Sequence, residues 1–325
     1  MNWLLIRIAA AMLVFGLSAG VALAVEFPSR PVRIITPFPA GSGPEAVLRL
    51  LADKLSKRWK QPVIVENRPG GNGFIAIDAF KHGATDGHDL LQLDSVHLSA
   101  YPHLFRKLPY DAAADFEPIL PLFRTYFFFA VGTDSKYPNL AALIDDARRQ
   151  PGKLNYGSWS VGNPVHLGSA LFESETRTQM VHVLYKETTQ LYTDVATGEL
   201  SFALGSIATS GALQRAGKLR YLALAAPQRS ALFPNVPTVT EAGGPAGFEV
   251  TGWTALVAPH GAPAAVVEQI QRDVEAALNE PDSKERYRAL GYEPFPLARS
   301  AFVQYIQRES LHFAGVIRKA GVSLQ

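Results

Sequence analysis

A β-branched apolar run, Val32–Thr36, feeds a loop bracketed by proline and glycine, Pro37-Phe38-Pro39-Ala40-Gly41-Ser42-Gly43, and then a helical pattern opening with Pro44-Glu45-Ala46. A strand that passes so directly into a helix commits the chain to an α/β layering. Gly41 and Gly43 let the backbone approach a guest closely, and Ser42 or Gly43 is suited to cap the helix. Pro44 suits the first helical turn, where its missing N–H has no partner to lose. The expected result is a cluster of unpaired N–H donors at the positive end of a helix, which is a seat for an anion.

The same stretch matches the G-x-G-x-x-G/A dinucleotide fingerprint, and the next strand-like run, 62–66, ends in Glu66 at nearly the expected distance. Two prolines nevertheless separate the strand from the first glycine, where that fingerprint needs a tight turn. A nucleotide cofactor is not expected.

Export is written at the start of the chain. Met1 to Arg7 carry one positive charge, residues 8–21 are mostly apolar, and Ala22-Leu23-Ala24 forms a small-x-small cleavage pattern. Residues 1–24 are therefore expected to be a signal peptide cut after Ala24, an uncleaved anchor being the alternative. The 325 residues contain no cysteine, so neither a lipid-modified cysteine nor a disulfide holds the product, and its core must do so alone. The formal charge of +2 offers no basic face for nucleic acid.

Beyond the first strand, strand-like runs at 62–66, 89–93, 126–131, 153–157, 180–185, 200–204, 219–225 and 250–258 alternate with helical patterns at 44–59, 73–81, 140–149, 165–172, 190–197 and 207–216. Three more helical patterns, 263–279, 283–290 and 299–319, end the chain. Such alternation implies mainly parallel sheets with helices on both faces. Apolar strands near 122–129 and 252–257 read as crossings between two lobes, residues 25–124 plus 253–325 and residues 125–252. Two doubly wound sheets joined by a hinge describe a cleft that closes on a ligand.

Open sheets bind beyond the carboxyl ends of their strands, and there this chain keeps small polar residues. Besides the first loop these are Asp94-Ser95-Val96-His97, then Gly157-Ser158-Trp159-Ser160-Val161-Gly162-Asn163-Pro164, and Gly205-Ser206. Ser95 is placed to donate to a carboxylate, and Asn163 to cap the helix that carries His166. The glycine-rich stretch 67–73 reads equally as a helix approach or as a plain turn. No nucleophile elbow, H-E-x-x-H pair or cysteine nucleophile is present, and no histidines stand at close metal-ligand spacing. The pattern points to binding, with no catalytic residue, metal or cofactor.

In order along the chain stand Phe27-Pro28-Ser29-Arg30-Pro31-Val32-Arg33, Pro37-Phe38-Pro39-Ala40-Gly41, Val65-Glu66-Asn67-Arg68-Pro69-Gly70, Leu108-Pro109-Tyr110-Asp111, Gly152-Lys153-Leu154-Asn155-Tyr156-Gly157-Ser158, Ala216-Gly217-Lys218-Leu219-Arg220 and Pro234-Asn235-Val236-Pro237-Thr238-Val239-Thr240-Glu241-Ala242-Gly243. With these motifs the sequence resembles the solute receptors of tripartite tricarboxylate transporters, the Bug receptor family, from about Phe27 to the C-terminus. The resemblance implies a monomeric, periplasmic, type II Venus-flytrap receptor. Its cargo would be a dicarboxylate, a tricarboxylate, an acidic amino acid or an aromatic acid, handed to membrane permease subunits. The alternatives are a periplasmic sensor for a two-component system and a secreted α/β enzyme.

On that footing the expected ligand-binding residues are Phe38, Pro39, Ala40, Gly41, Ser42, Gly43, Glu45, Ser95, His97, Ser158, Trp159, Asn163, His166, Gly205, Ser206 and Trp253. The chain also departs from the family. Pro44-Glu45 stands where a threonine and an aspartate are usual, His97 and Trp159 replace small residues, and Gly205 stands where an acid is frequent. Trp159 suits an aromatic wall or a packing role equally.

Overall fold

The computed structural model describes residues 27–320 and residue 324. The expected signal peptide, 1–24, and the mature start at Val25 lie outside the described residues.

Five strands build the first sheet: β1 (Val32–Thr36), β2 (Val63–Asn67), β3 (Asp89–Asp94), β4 (Phe116–Tyr126) and β10 (Thr251–Pro259), in the order β2-β1-β3-β10-β4. β1 runs parallel to β2 and β3, whereas β10 is antiparallel to β3 and β4. The two-residue period of a strand sends alternate side chains to opposite faces. Val32, Ile34, Leu90 and Leu256 join one core with Leu48, Leu51 and Leu55 of α1 (Gly43–Trp59) and with Val267, Ile270 and Val274 of α9 (Ala264–Leu278). Ile35, Leu91, Leu93 and Ala255 join a second core with Ile77 and Phe80 of α2 (Phe74–Lys81) and with Phe302 of α11 (Arg299–Ala320). Both faces are covered, which is why these strands read as continuous apolar runs.

The second unit holds β5 (Phe128–Gly132) between β8 (Ala203–Gly205) and β9 (Leu219–Leu224), all antiparallel, and a parallel pair β6 (Asn155–Ser158) and β7 (Val181–Leu184). A single bridge from Tyr156 to Phe202 joins the two sets. Parallel pairing, as expected from the alternation, holds for β2-β1-β3 and β6-β7. The strands that travel between the units pair antiparallel, because each returns along its neighbour. α5 (Leu140–Arg149) and α6 (Pro164–Thr176) cover one side through Leu143, Ile144, Val165 and Phe172. α7 (Thr188–Thr197) covers the other with Leu191, Tyr192 and Val195.

Two chain segments connect the units side by side. β4 ends at Tyr126 and β5 begins at Phe128; the return leaves β9, passes Val250, whose N–H donates to Ala225 O at 3.1 Å, and starts β10 at Thr251 opposite Tyr126. Between β3 and β4 lie two short helices, α3 (Ser95–Ser99) and α4 (Tyr101–Leu104). The remaining helices are α8 (Ile207–Arg215) and α10 (Pro281–Leu290).

Phe129 anchors the second core, fully buried with its ring 4.6 Å from Phe172 and 5.6 Å from Phe202. Truncating it removes a large apolar body and leaves a cavity. Phe129→Ala is expected to lose about 3–5 kcal/mol in urea unfolding; an unchanged midpoint would contradict this packing.

Candidate functional site

Five side chains set the shape of the loop after β1. Thr36 Oγ1 donates to Gln92 Oε1 at 2.8 Å and accepts the Phe38 N–H at 3.2 Å. Asn67 Nδ2 donates to Phe38 O at 2.9 Å, and Arg49 donates to Asn67 Oδ1 at 2.9 Å. Arg49 also forms an ion pair with Glu45, which is almost fully buried. Glu45 in turn accepts the Gly41 N–H at 3.1 Å. The Gly41 amide, expected to seat a ligand, is thus taken by the chain's own carboxylate. Gly41 remains necessary for the turn, since its φ of +82° lies in the left-handed region. Phe38 is half-buried, and Pro39, Ala40 and Gly41 form the exposed tip.

Donors remain at the start of α1. Ser42 occupies the N-cap with extended backbone, yet its side chain makes no cap bond, and its Oγ is buried with no partner among the described residues. Pro44 lacks an N–H, and those of Gly43 and Glu45 belong to the first turn, where no intrahelical acceptor exists. Gly43 is needed for space. A Cβ there would fall 2.2 Å from Tyr292 Oη and 3.3 Å from Ala208 Cβ, and one on Gly291 would fall 2.5 Å from Ile207 Cδ1. Ile207 and Ala208 open α8, so the second unit touches the first at this point. Tyr292 is fixed by a parallel stack on Phe123 with centroids 3.9 Å apart.

At the end of β3, Asp94 caps α3, accepting the Val96 N–H at 3.2 Å and the Ser95 hydroxyl at 3.0 Å. The Ser95 hydroxyl is therefore spent inside the protein. His97 is buried, its ring nitrogens against Asn72 O at 2.9 Å and Asp94 O at 3.2 Å. It ties the glycine-rich 70–73 turn to β3 and leaves no ring nitrogen for a ligand. Burial pushes the Asp94 carboxyl above the usual range. Burial also raises the Tyr101 and Tyr292 hydroxyls, and the field of Asp94 adds to both. Both phenols stay protonated and able to donate.

The second unit answers with the loop after β6. Asn163 caps α6, its Oδ1 accepting the His166 N–H at 2.7 Å, while its Nδ2 is buried without a partner among the described residues. Gly162, at φ +83°, has no room for a side chain, since a Cβ would lie 2.1 Å from Leu104 Cδ2 of α4. Here the units touch a second time. Ser158 is fully buried, with its hydroxyl donating to Ser160 O at 3.1 Å. His166 accepts the Gly162 N–H on Nδ1 at 3.0 Å, and burial with His182 beside it pulls its pKa down to about 4. Trp159 is half-buried against both cores of the second unit. Ser206 and Thr209 cap α8 reciprocally, and Gly205 lies against Ser210 and Tyr192.

Trp253 stands apart from these loops. Its ring is in the first unit's core, 5.3 Å from Phe302, and its indole N–H donates to both oxygens of Glu309 at 2.9 Å. Burial lifts Glu309 to about 7. A cavity of about 400 Å³ between α6 and α11 is lined by Glu309 and Tyr305 but by none of the expected site residues. The loops carrying Ser42-Gly43, Gly162-Asn163 and Ser206 are thus brought to the boundary between units. Ser95, His97 and Trp253 are turned into the protein. Tyr101, Leu104 and Tyr292 complete the boundary, and only their tertiary contacts reveal them.

The family described as the tripartite tricarboxylate transporter family receptor matches residues 47–322. The chain belongs to this family. A solved structure of Rpa4515 from R. palustris with adipate superposes with a TM-score of 0.83 at 28% identity, covering 91% of this chain and 99% of that one. MatC from Rhodopseudomonas palustris with bound malate gives 0.79 at 28%, over 90% and 100%. The periplasmic binding protein BugD gives 0.80 at 25%, over 92% and 100%. The two-lobed periplasmic-binding-protein fold of the Bug receptors is therefore this chain's fold, and the family is one of solute receptors.

The contact between Gly43 and Tyr292 is open to test. Gly43→Ala is expected to weaken ligand binding more than about tenfold, a change of about 1.4 kcal/mol, because its methyl meets the Tyr292 hydroxyl oxygen. Adding Tyr292→Phe removes that oxygen and should restore most of the loss in calorimetry. Equal affinities for all three proteins would contradict the close approach.

Proposed function

We propose that this chain is the periplasmic receptor of a tripartite tricarboxylate-type transporter, that it captures a small dicarboxylate between its lobes, and that it hands this cargo to membrane permease subunits. Residues 1–24 direct export and are removed. Residues 25–124 with 253–325 act as one lobe and residues 125–252 as the other. The protein works as a monomer and performs no chemistry on its cargo.

One observation carries the reading. On each side of the boundary a helix with proline in its first turn ends in a buried polar atom without a partner, Ser42 Oγ before α1 and Asn163 Nδ2 before α6. Buried polar atoms are seldom left orphaned, and a helix N-terminus favours negative charge. An anion with a carboxylate at either end satisfies both. The adipate and malate held by relatives at 28% identity are both dicarboxylates, which supports the same class here.

Magnitudes require several loops to act together. Each helix end contributes about 0.3–2 kcal/mol, and a micromolar receptor needs about 8 kcal/mol. Charge-assisted hydrogen bonds from Ser42, Asn163 and free first-turn N–H groups add about 1.5–3 kcal/mol each. Apolar contact from Phe38 and Trp159 supplies more. Glu45 holds the first loop in shape from behind, so its carboxylate helps positioning without facing the guest.

Asn163→Asp is the sharpest probe, because aspartate caps a helix as well as asparagine does but replaces the Nδ2 donor by an acceptor. Calorimetry against malate, adipate and a wider carboxylate panel is expected to show a loss of about ten- to hundredfold with the melting temperature held. Unaltered affinity would remove Asn163 from the site, and failure of every carboxylate to bind would overturn the proposed function.

A further inference from the structure

The second unit's loop is wired to a pair of imidazoles. His166 on α6 and His182 on β7 stack with centroids 4.2 Å apart and planes 31° apart. Hydrogen bonding fixes their tautomers. His166 Nδ1 accepts the Gly162 N–H, so in the neutral ring the proton sits on Nε2. The Ser158 hydroxyl spends its one proton on Ser160 O, so its 2.7 Å contact with His182 Nε2 is one in which the ring donates. His182 therefore carries its proton on Nε2 and a bare lone pair on Nδ1.

Among the described residues no carboxylate forms an ion pair with either ring, and Glu309 of α11, the helix packed on α6, is held by the Trp253 indole. On the elements packed around the pair, Glu173 of α6 is committed to the Tyr156 hydroxyl at 3.1 Å and the Met180 N–H at 2.6 Å. Glu175 of the same helix lines the cavity toward α11, and Tyr185 after β7 is bonded to Asp194. The Tyr156 ring lies 5.3 Å from His182. Burial lowers both histidine pKa values from the ordinary value near 6.5, and at His166 the neighbouring His182 ring lowers it further. Stability from these depressed pKa values is fully present above 6.5 and is lost as pH falls toward about 4, the His166 value.

We propose that capture of a carboxylate by this loop is accompanied by uptake of one proton at His182 Nδ1, which turns the neutral pair into an imidazolium–imidazole pair and supplies the cation that the loops otherwise lack. His182 is the acceptor because its Nδ1 makes no hydrogen bond among the described residues. Protonating His166 at Nδ1 would instead break its bond to Gly162, where the loop meets Leu104. The proton comes from solvent and returns there on release. The inference rests on the carboxylate-binding reading and states how that site is regulated by pH.

Proton linkage makes affinity rise as pH falls, by up to about tenfold per pH unit for one proton. Malate and adipate are titrated into the full mature protein at pH 6–8, where an ordinary carboxylate is ionised. Each titration is repeated in two buffers of different ionisation enthalpy, which reports the protons taken up. The expected result is uptake approaching one toward pH 6. His182→Gln keeps a donor toward Ser158 and is expected to bind with no uptake and a flat pH profile. His166→Gln is expected to bind more weakly with uptake retained. Firm wild-type binding without uptake overturns the inference and leaves the receptor reading standing. Uptake that survives His182→Gln but disappears in His166→Gln also overturns it. Binding of neither acid at any pH overturns both.

Discussion

The two units approach to van der Waals contact because two positions carry no side chain. Gly43 lies under Tyr292 and Ala208, and Gly162 lies under Leu104. These contacts carry the N-termini of α1 and α8 together on one flank and bring α6 to α4 on the other. Everything proposed for the site follows from that closeness. Donors left free at a helix start are worth little in water, where the solvent competes for them. Enclosed between two units they act at lower effective dielectric and without that competition.

The electrostatics fit a binding protein that holds anions without a cationic clamp. Glu45 already neutralises Arg49 and takes the Gly41 amide, so the loop is preorganised by an internal anion placed behind it. Asp94 caps α3, and burial, with the field of Asp94 added, keeps the Tyr101 and Tyr292 phenols protonated. The donors that remain are small, buried and neutral. Such a site discriminates by shape and by the placement of hydrogen bonds, and a histidine pair behind one loop provides an adjustable charge.

Local chemistry was legible in the sequence wherever a single junction determined it. Helix starts at Gly43-Pro44, Asn163-Pro164 and Ser206-Ile207 declare themselves through small polar caps and proline, and the structure begins helices there. Only the end of β4 is legible, within the apolar strand near 122–129, because Pro118 and Pro121 make its first half read as loop. β4 survives as a strand because it is the last strand of its sheet, where β10 is its one strand partner and the register breaks twice, and its other edge meets only an isolated bridge from Arg124 to Glu293, conditions under which proline's missing N–H is tolerated. The direction of side chains was not legible either. Where both faces of a sheet are apolar, alternation cannot say which one meets a cleft, so Trp253 looks the same whether it lines a pocket or, as found, packs on Phe302 and bonds Glu309. The hydrogen bonds of Ser95 and His97 are not legible because their partners, Asp94 Oδ1 and the Asn72 carbonyl, depend on a turn whose geometry no local pattern specifies.

The central claim is that a carboxylate binds only when both units surround it, so that ligand shifts the population toward the closed arrangement. Free protein in solution then samples forms in which the Gly43–Ala208 and Gly162–Leu104 contacts are parted. Small-angle X-ray scattering on the mature protein, with and without saturating malate or adipate, measures this directly. The account predicts a smaller radius of gyration on addition of the acid that binds. An unchanged radius under conditions where calorimetry shows full occupancy would contradict it and would mean a rigid, preformed pocket.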